Sequence, residues 1–178
     1  MKNMIIALIC GFSVLASAQK ISTRSGQVNF EASMPAFEEI AAKNNTASAV
    51  LETDSGNFAS LVLIKGFKFK VPLMEEHFNE NYMESDKFPK ATIKGTIKNF
   101  DKSKIGSAPV LFDFEGDLTI HGITKKLKTK VQLSSASGKT KLTSDFKIKP
   151  ADFNIEIPSV VKSKVAENVS VLATFVLE

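Results

Sequence analysis

Leu73-Met74-Glu75-Glu76-His77-Phe78-Asn79-Glu80-Asn81-Tyr82-Met83-Glu84-Ser85, followed by Lys87-Phe88-Pro89-Lys90-Ala91-Thr92-Ile93-Lys94-Gly95, changes its hydrophobic period halfway along. Met74, Phe78 and either Asn81 or Tyr82 fall at i, i+4 and i+7 or i+8. That spacing predicts a short helix over Leu73 to Met83, with an apolar stripe on one face and the carboxylates of Glu75, Glu76 and Glu80 elsewhere. Pro89 closes the irregular piece. From Ala91 the period becomes two: Ala91, Ile93, Gly95 and Ile97 alternate with Thr92, Lys94, Thr96 and Lys98, the pattern of a strand with one buried face.

Working outward, alternation dominates. Strands are predicted at Gln27 to Ala32, Ser48 to Thr53, Asn57 to Ile64, Lys68 to Val71, Ala91 to Asn99, Val110 to Ile120, Lys125 to Ser134, Lys139 to Ile148 and Val169 to Leu177. Turn signals at Asp54-Ser55-Gly56, Asp101 to Ser107, His121-Gly122 and Ser134 to Gly138 separate most of them. A second helix is predicted over Pro35 to Lys43, capped by Ser33, burying Phe37, Ile40 and Ala41 and ended by Asn44-Asn45. Val160 to Asn168 reads as a helical or irregular crossing. Many short antiparallel strands must close on themselves or stack as two sheets, and about eight suffice for a small barrel that can hold one ligand. The expected fold is mainly β: one antiparallel barrel of about eight strands, with short helices near its mouth.

Residues 1–18 read as an export signal: Lys2, an apolar run from Met4 to Leu15, then Ala16-Ser17-Ala18, with cleavage after Ala18. The run is too short for a membrane anchor, which needs about 20 apolar residues. Residues 19–178 would then form a single domain, periplasmic or secreted. Cys10, the one cysteine, lies in the signal, so the mature chain has no disulfide, thiol nucleophile or thiolate metal site.

The net charge is +4, and lysines recur along strands at Lys65-Lys68-Lys70, Lys94-Lys98 and Lys125-Lys126-Lys128-Lys130. With Arg24 as the sole arginine and no aromatic platform, they read as a solvated outer face that guards against edge pairing, not as a nucleic-acid surface. Stable membrane insertion as an outer-membrane barrel is disfavoured too. Such a barrel wears girdles of Trp and Tyr, whereas this chain has one Tyr and no Trp.

Phenylalanine is the compositional signal, 14 residues in all, and unlike Tyr or Trp it brings no polar handle. Alternation allows Phe30, Phe58 or Leu61, Leu63, Phe69, Ile93, Phe112, Phe114, Leu118, Phe146, Val171 and Phe175 to face an apolar lumen. A solid core and a hollow barrel share this alternation, so both stay open at this point. No metal set is offered by His77 or His121, since neither lies in a two-histidine helical spacing. No G-x-S-x-G elbow or phosphate-binding glycine loop is present, and Asp113, Glu115 and Asp117 share the strand face opposite Phe112 and Phe114, towards water.

The helix-to-strand stretch around Leu73 to Gly95 resembles a signature of the YceI-like family of lipid-binding proteins. Gly116-Asp117-Leu118-Thr119-Ile120-His121-Gly122-Ile123-Thr124-Lys125 is similar to its second signature, and Phe146-Lys147-Ile148 through Asp152-Phe153-Asn154-Ile155 and Pro158 to its third. The resemblance implies an extracytoplasmic, lipocalin-like barrel that holds a long isoprenoid, isoprenoid quinone or acyl chain inside. It implies no catalytic residue, no cofactor beyond that bound lipid, and a hydrophobic small molecule as partner. A homodimer is neither required nor excluded. His77, Phe78, Asn81, Tyr82 and Ser85 are the head-group candidates at the mouth. The alternatives are an enzyme acting on a lipid- or quinone-like substrate, and a solid structural or adhesion module.

Overall fold

A meander of antiparallel strands leaves two bare edges unless its first and last members meet. Here they meet. The computed structural model describes residues 19–35 and 37–178. Its strands are β1 (Lys20–Ser33), β2 (Ala41–Glu52), β3 (Asn57–Leu63), β4 (Lys68–Phe69), β5 (Lys90–Ile97), β6 (Val110–Ile120), β7 (Ile123–Ala136), β8 (Lys139–Ile148) and β9 (Val165–Leu177). Around the sheet the order is β1-β9-β8-β7-β6-β5-β3-β2, and the β1–β2 pairing closes it into an eight-stranded antiparallel barrel. The short β4 pairs with the start of β2, at Ala42↔Phe69 and Lys43↔Lys68.

Tight turns set the register of neighbouring strands. His121 and Gly122, at φ +51° and +74°, join β6 to β7, and Ser137 and Gly138, at +52° and +77°, join β7 to β8. Two consecutive positive φ values match the twist of flanking strands, which is why these loops need only two residues.

The barrel has unlike ends. At one end Leu51, Ile97, Leu133, Leu142 and Leu177 are almost fully buried and form a packed floor with Phe114 and Phe175. Phe58 meets both rings, with centroids 6.2 and 5.6 Å away. Room for the rings comes from glycine. A Cβ on Gly95 or Gly116, which face each other across β5 and β6, would lie 2.6 or 2.8 Å from Phe114 Cζ. At the other end three connections gather, through residues 34–35 and 37–40, residues 64–89 and residues 149–164, while residues 98–109 cross the floor end.

The connection through 64–89 carries α1 (Pro72–His77), which continues as one π-helical turn over Phe78–Tyr82. The helix predicted over Leu73 to Met83 therefore forms, in two pieces. Pro72 starts it, since proline's fixed φ and missing N–H suit a first helical turn. Glu75 holds it to β4 through Lys68 Nζ at 2.5 Å and the Phe69 N–H at 3.2 Å, and these bonds, the Lys68 one foremost, keep its carboxyl below the usual range.

The second predicted helix does not form. Ala36 lies outside the described residues, but Ala41–Lys43 belong to β2, where Ala42 pairs with Phe30 of β1 and Phe69 of β4. Ser33 Oγ accepts from the Ile40 N–H at 2.9 Å and so closes a loop, not a helix cap. Phe37 is exposed. Asn44, expected to end that helix, is wholly buried inside β2, where its Nδ2 donates to the Leu63 carbonyl and its Oδ1 accepts from the Thr46 N–H and hydroxyl. Strand pairing on two sides outweighs the few tenths of a kcal/mol by which local propensity favours a helix.

Elsewhere the differences concern length. β1, β2, β7 and β9 begin before their predicted starts, and β4 stops at Phe69. The Val160 to Asn168 crossing is a turn up to Lys164 and a strand from Val165. The predicted export signal, residues 1–18, lies outside the described residues.

The outer face carries a ladder of ion pairs. Asp113, Glu115 and Asp117 of β6 stand opposite Lys130, Lys128 and Lys126 of β7, at 2.5, 3.0 and 2.7 Å. Lys128 and Lys98 together hold the Glu115 carboxyl below its ordinary range. These carboxylates are tied up as cross-strand pairs on the solvent side, with no second carboxylate to share a proton.

Candidate functional site

Above the floor the barrel is hollow. A cavity of about 430 Å³ occupies the half nearer the long connections, within the size range of small-molecule sites. Its walls follow strand alternation: Val169, Val171, Ala173 and Phe175 on β9; Leu142, Ser144, Phe146 and Ile148 on β8; Phe114, Leu118 and Ile120 on β6; Phe58, Ser60 and Val62 on β3.

Of the residues expected in the lumen, Phe30, Phe69, Ile93, Phe114, Leu118, Phe146, Val171 and Phe175 line the cavity. Leu61 and Leu63 do not, and this corrects their assignment. Phe58 is buried and points inward, so a period of two sends Ser60 and Val62 inward and Leu61 and Leu63 outward, where Leu63 is 52% exposed. Phe112 is corrected as well: it is buried but lies beyond the cavity on the floor side, packed on Phe100 with ring centroids 6.2 Å apart.

Aromatic rings build the upper wall. Phe30 stacks on Phe78 at 5.4 Å and meets Phe67 and Phe69 edge-on at 5.3 and 5.7 Å, while Phe78 also touches Phe67 and Phe69. Phe78 thereby pins the π turn after α1 onto the rim. Such pairs contribute about 0.5–1.5 kcal/mol each beyond area burial.

Among the head-group candidates, His77, Phe78 and Tyr82 line the cavity. Asn81 is exposed and Ser85 is buried, and neither belongs to the lining of the cavity. Successive residues of a helical turn point about 100° apart, and Phe78 and Tyr82 take the inward direction. Glu38 and Lys164, absent from the expected set, contribute a carboxylate and an ammonium group to the lining. Both come from loops whose approach depends on the barrel closing, so no spacing in the chain announces them. Deeper down, the Ser144 hydroxyl donates to the Lys130 carbonyl at 2.9 Å, which satisfies the wall without presenting a donor to the lumen.

His121 is not part of the cavity lining. Its Nδ1–H donates to the Phe153 carbonyl at 3.1 Å, its Nε2 lies 3.0 Å from Glu84 Oε2, and its ring sits 4.3 Å from that of Phe88. It ties the β6–β7 turn, the segment after α1 and the 3₁₀ turn at Pro150–Phe153 together. His121→Ala is expected to cost about 1–3 kcal/mol by leaving the carbonyl of buried Phe153 without its donor, read as a lower urea midpoint with an unchanged slope. A cost below about 0.5 kcal/mol would show that the three segments hold without it.

Among the described residues no cluster of three or more His, Cys, Asp or Glu side chains is set to hold a metal ion, and no helix is long and apolar enough to cross a membrane.

The same architecture occurs in solved structures. A polyisoprenoid binding domain from Saccharophagus degradans, implicated in plant cell wall breakdown, superposes with a TM-score of 0.78 at 14% identity, covering 91% of this chain and 99% of that one. Burkholderia cenocepacia BcnA gives 0.71 at 16% identity, over 86% and 96%. A Campylobacter jejuni YCEI protein gives 0.60 at 16%, over 80% and 88%. No curated protein sequence matches the chain. At such identities these likenesses speak for the fold, and the family rests on sequence: the YceI-like domain model matches residues 16–177, and the chain belongs to the YceI-like family.

Proposed function

We propose that the protein is a non-catalytic carrier, exported from the cytoplasm, that holds the hydrocarbon chain of an amphiphile in its lumen. The chain class is a polyisoprenoid, an isoprenoid quinone or a fatty acyl group. One observation carries this reading: a closed barrel keeps a cavity of about 430 Å³ walled by Phe, Val, Ile and Leu, above a floor packed to completion. An apolar hollow of this kind favours a hydrocarbon by about 0.8 kcal/mol per buried methylene, and it offers a sugar or nucleotide few partners.

A structural neighbour described as a polyisoprenoid binding domain supports the chain class. The mouth, with His77, Tyr82, Glu38 and Lys164, gives a polar head somewhere wet to sit. A binding role is supported by the place of His121, whose carboxylate partner Glu84 holds it outside the lining.

Native mass spectrometry of protein starting at Gln19, purified without detergent from an exporting host and followed by organic extraction, tests the reading. The expected result is a copurifying isoprenoid or acyl chain at about one per protein. An apo mass together with no uptake of added long-chain lipids would overturn it.

A further inference from the structure

The barrel closes, but one of its seams is laddered over only part of its length. β7 and β8 form ladder pairs only from Gln132↔Thr143 to Ala136↔Lys139, although β7 reaches back to Ile123 and β8 runs on to Ile148. Two side-chain bonds mark where the strands part: Ser144 Oγ to the Lys130 carbonyl, and Thr129 Oγ1 to the Asp145 carbonyl at 3.5 Å. Beyond them the seam opens into a second hollow of about 270 Å³ between β7 and β8. Its floor is Leu118, Leu127, Ile148 and Phe153, and its rim is Lys125, Lys126, Lys147 and Lys149 with Asn168 and one acid, Asp152. Leu118 and Ile148 also line the lumen, so the two hollows share a wall one side chain thick.

The charges are not balanced in place. Lys126 is held by Asp117 and Lys149 by Glu167, whereas Lys125 and Lys147 have no carboxylate partner among the described residues. An apolar floor and a cationic rim together suit an oxyanion borne on a hydrocarbon.

We propose that this seam is the head-group site for an anionic amphiphile, a phosphate or carboxylate held between Lys125 and Lys147, with its chain passing between β7 and β8 into the lumen. The proposal rests on the reading that the lumen takes a hydrocarbon chain. It moves the head from the rim of α1 to the side of the barrel.

Decyl phosphate and 1-decanol, one chain with and without charge, test it by titration calorimetry on protein starting at Gln19. The wild type is expected to prefer the phosphate by about tenfold, as charge-assisted hydrogen bonds imply, and to lose that preference as salt is raised. Lys125→Gln with Lys147→Gln should abolish the preference while decanol binds as before. A preference that survives the double substitution, or that is lost instead in Lys164→Gln at the mouth, overturns the seam. Decanol binding without any preference for phosphate overturns the seam alone, and failure of both probes to bind overturns the lumen reading with it.

Discussion

Phe114→Ala is expected to cost about 3–5 kcal/mol of folding stability, the largest effect of any single truncation in this barrel. Phe114 is 2% exposed and forms the boundary between floor and cavity. Its ring lies over Gly95 and Gly116, which have no side chains to move into the void, and Phe58 meets it nearly at right angles, 86° between planes. Collapse around the lost ring is therefore blocked on one side by backbone, and an uncollapsed site carries both transfer and cavity terms. Urea unfolding followed by far-UV circular dichroism measures the loss. A cost under about 1.5 kcal/mol would mean that the floor is loosely packed and that the lumen extends down past Phe114.

Ala173→Phe should leave the fold standing and weaken chain binding on the order of a hundredfold. Ala173 is buried, faces the lumen between Val171 and Phe175, and lies opposite Ser144 on β8 and Val28 on β1, both of which also line the cavity. A phenyl ring there displaces about four methylenes of a bound chain, or ~3 kcal/mol at ~0.8 kcal/mol each. Because the ring enters existing space, the strain of overpacking stays at or below about 1–3 kcal/mol. Ser60→Phe, which fills the same lumen from β3, serves as the second variant if Ala173→Phe folds poorly. The measurement is the affinity for 1-decanol beside a thermal melt. Unchanged affinity in two folded variants would mean that the chain does not lie in the lumen.

Much of the wall is legible in the alternating runs alone. The boundaries of β6 and β8 coincide with the runs Val110 to Ile120 and Lys139 to Ile148, and β9 presents Val169, Val171, Ala173, Phe175 and Leu177 inward without a break. Alternation works there because one face meets the core and the other meets water. It misleads at β3, where Phe58, Leu61, Val62 and Leu63 offer apolar residues to both faces and only one register buries Phe58. It also fails at Ala41–Lys43, because what makes that segment a strand is Phe30 on one side and Phe69 on the other, residues distant along the chain. The lengths of β1, β7 and β9 exceed their alternating runs for a similar reason: polar ends such as Lys20 to Gly26 pair with neighbours whose positions no local pattern reveals.

Composition and period are enough to set the class of architecture and its polarity: period-two strands, the α1 segment before β5, an apolar interior rich in Phe, and lysines outside. These follow from side-chain direction and solubility, which are local properties of an alternating chain. Barrel closure, by contrast, is what makes the floor solid and the upper half hollow, brings Glu38 and Lys164 to His77 at the mouth, and parts β7 from β8 into a lysine-rimmed seam. A void is the difference between the volume enclosed by the closed wall and the volume of the side chains placed in it. Both depend on how strands distant in sequence meet, so no run of residues, however regular, carries that difference.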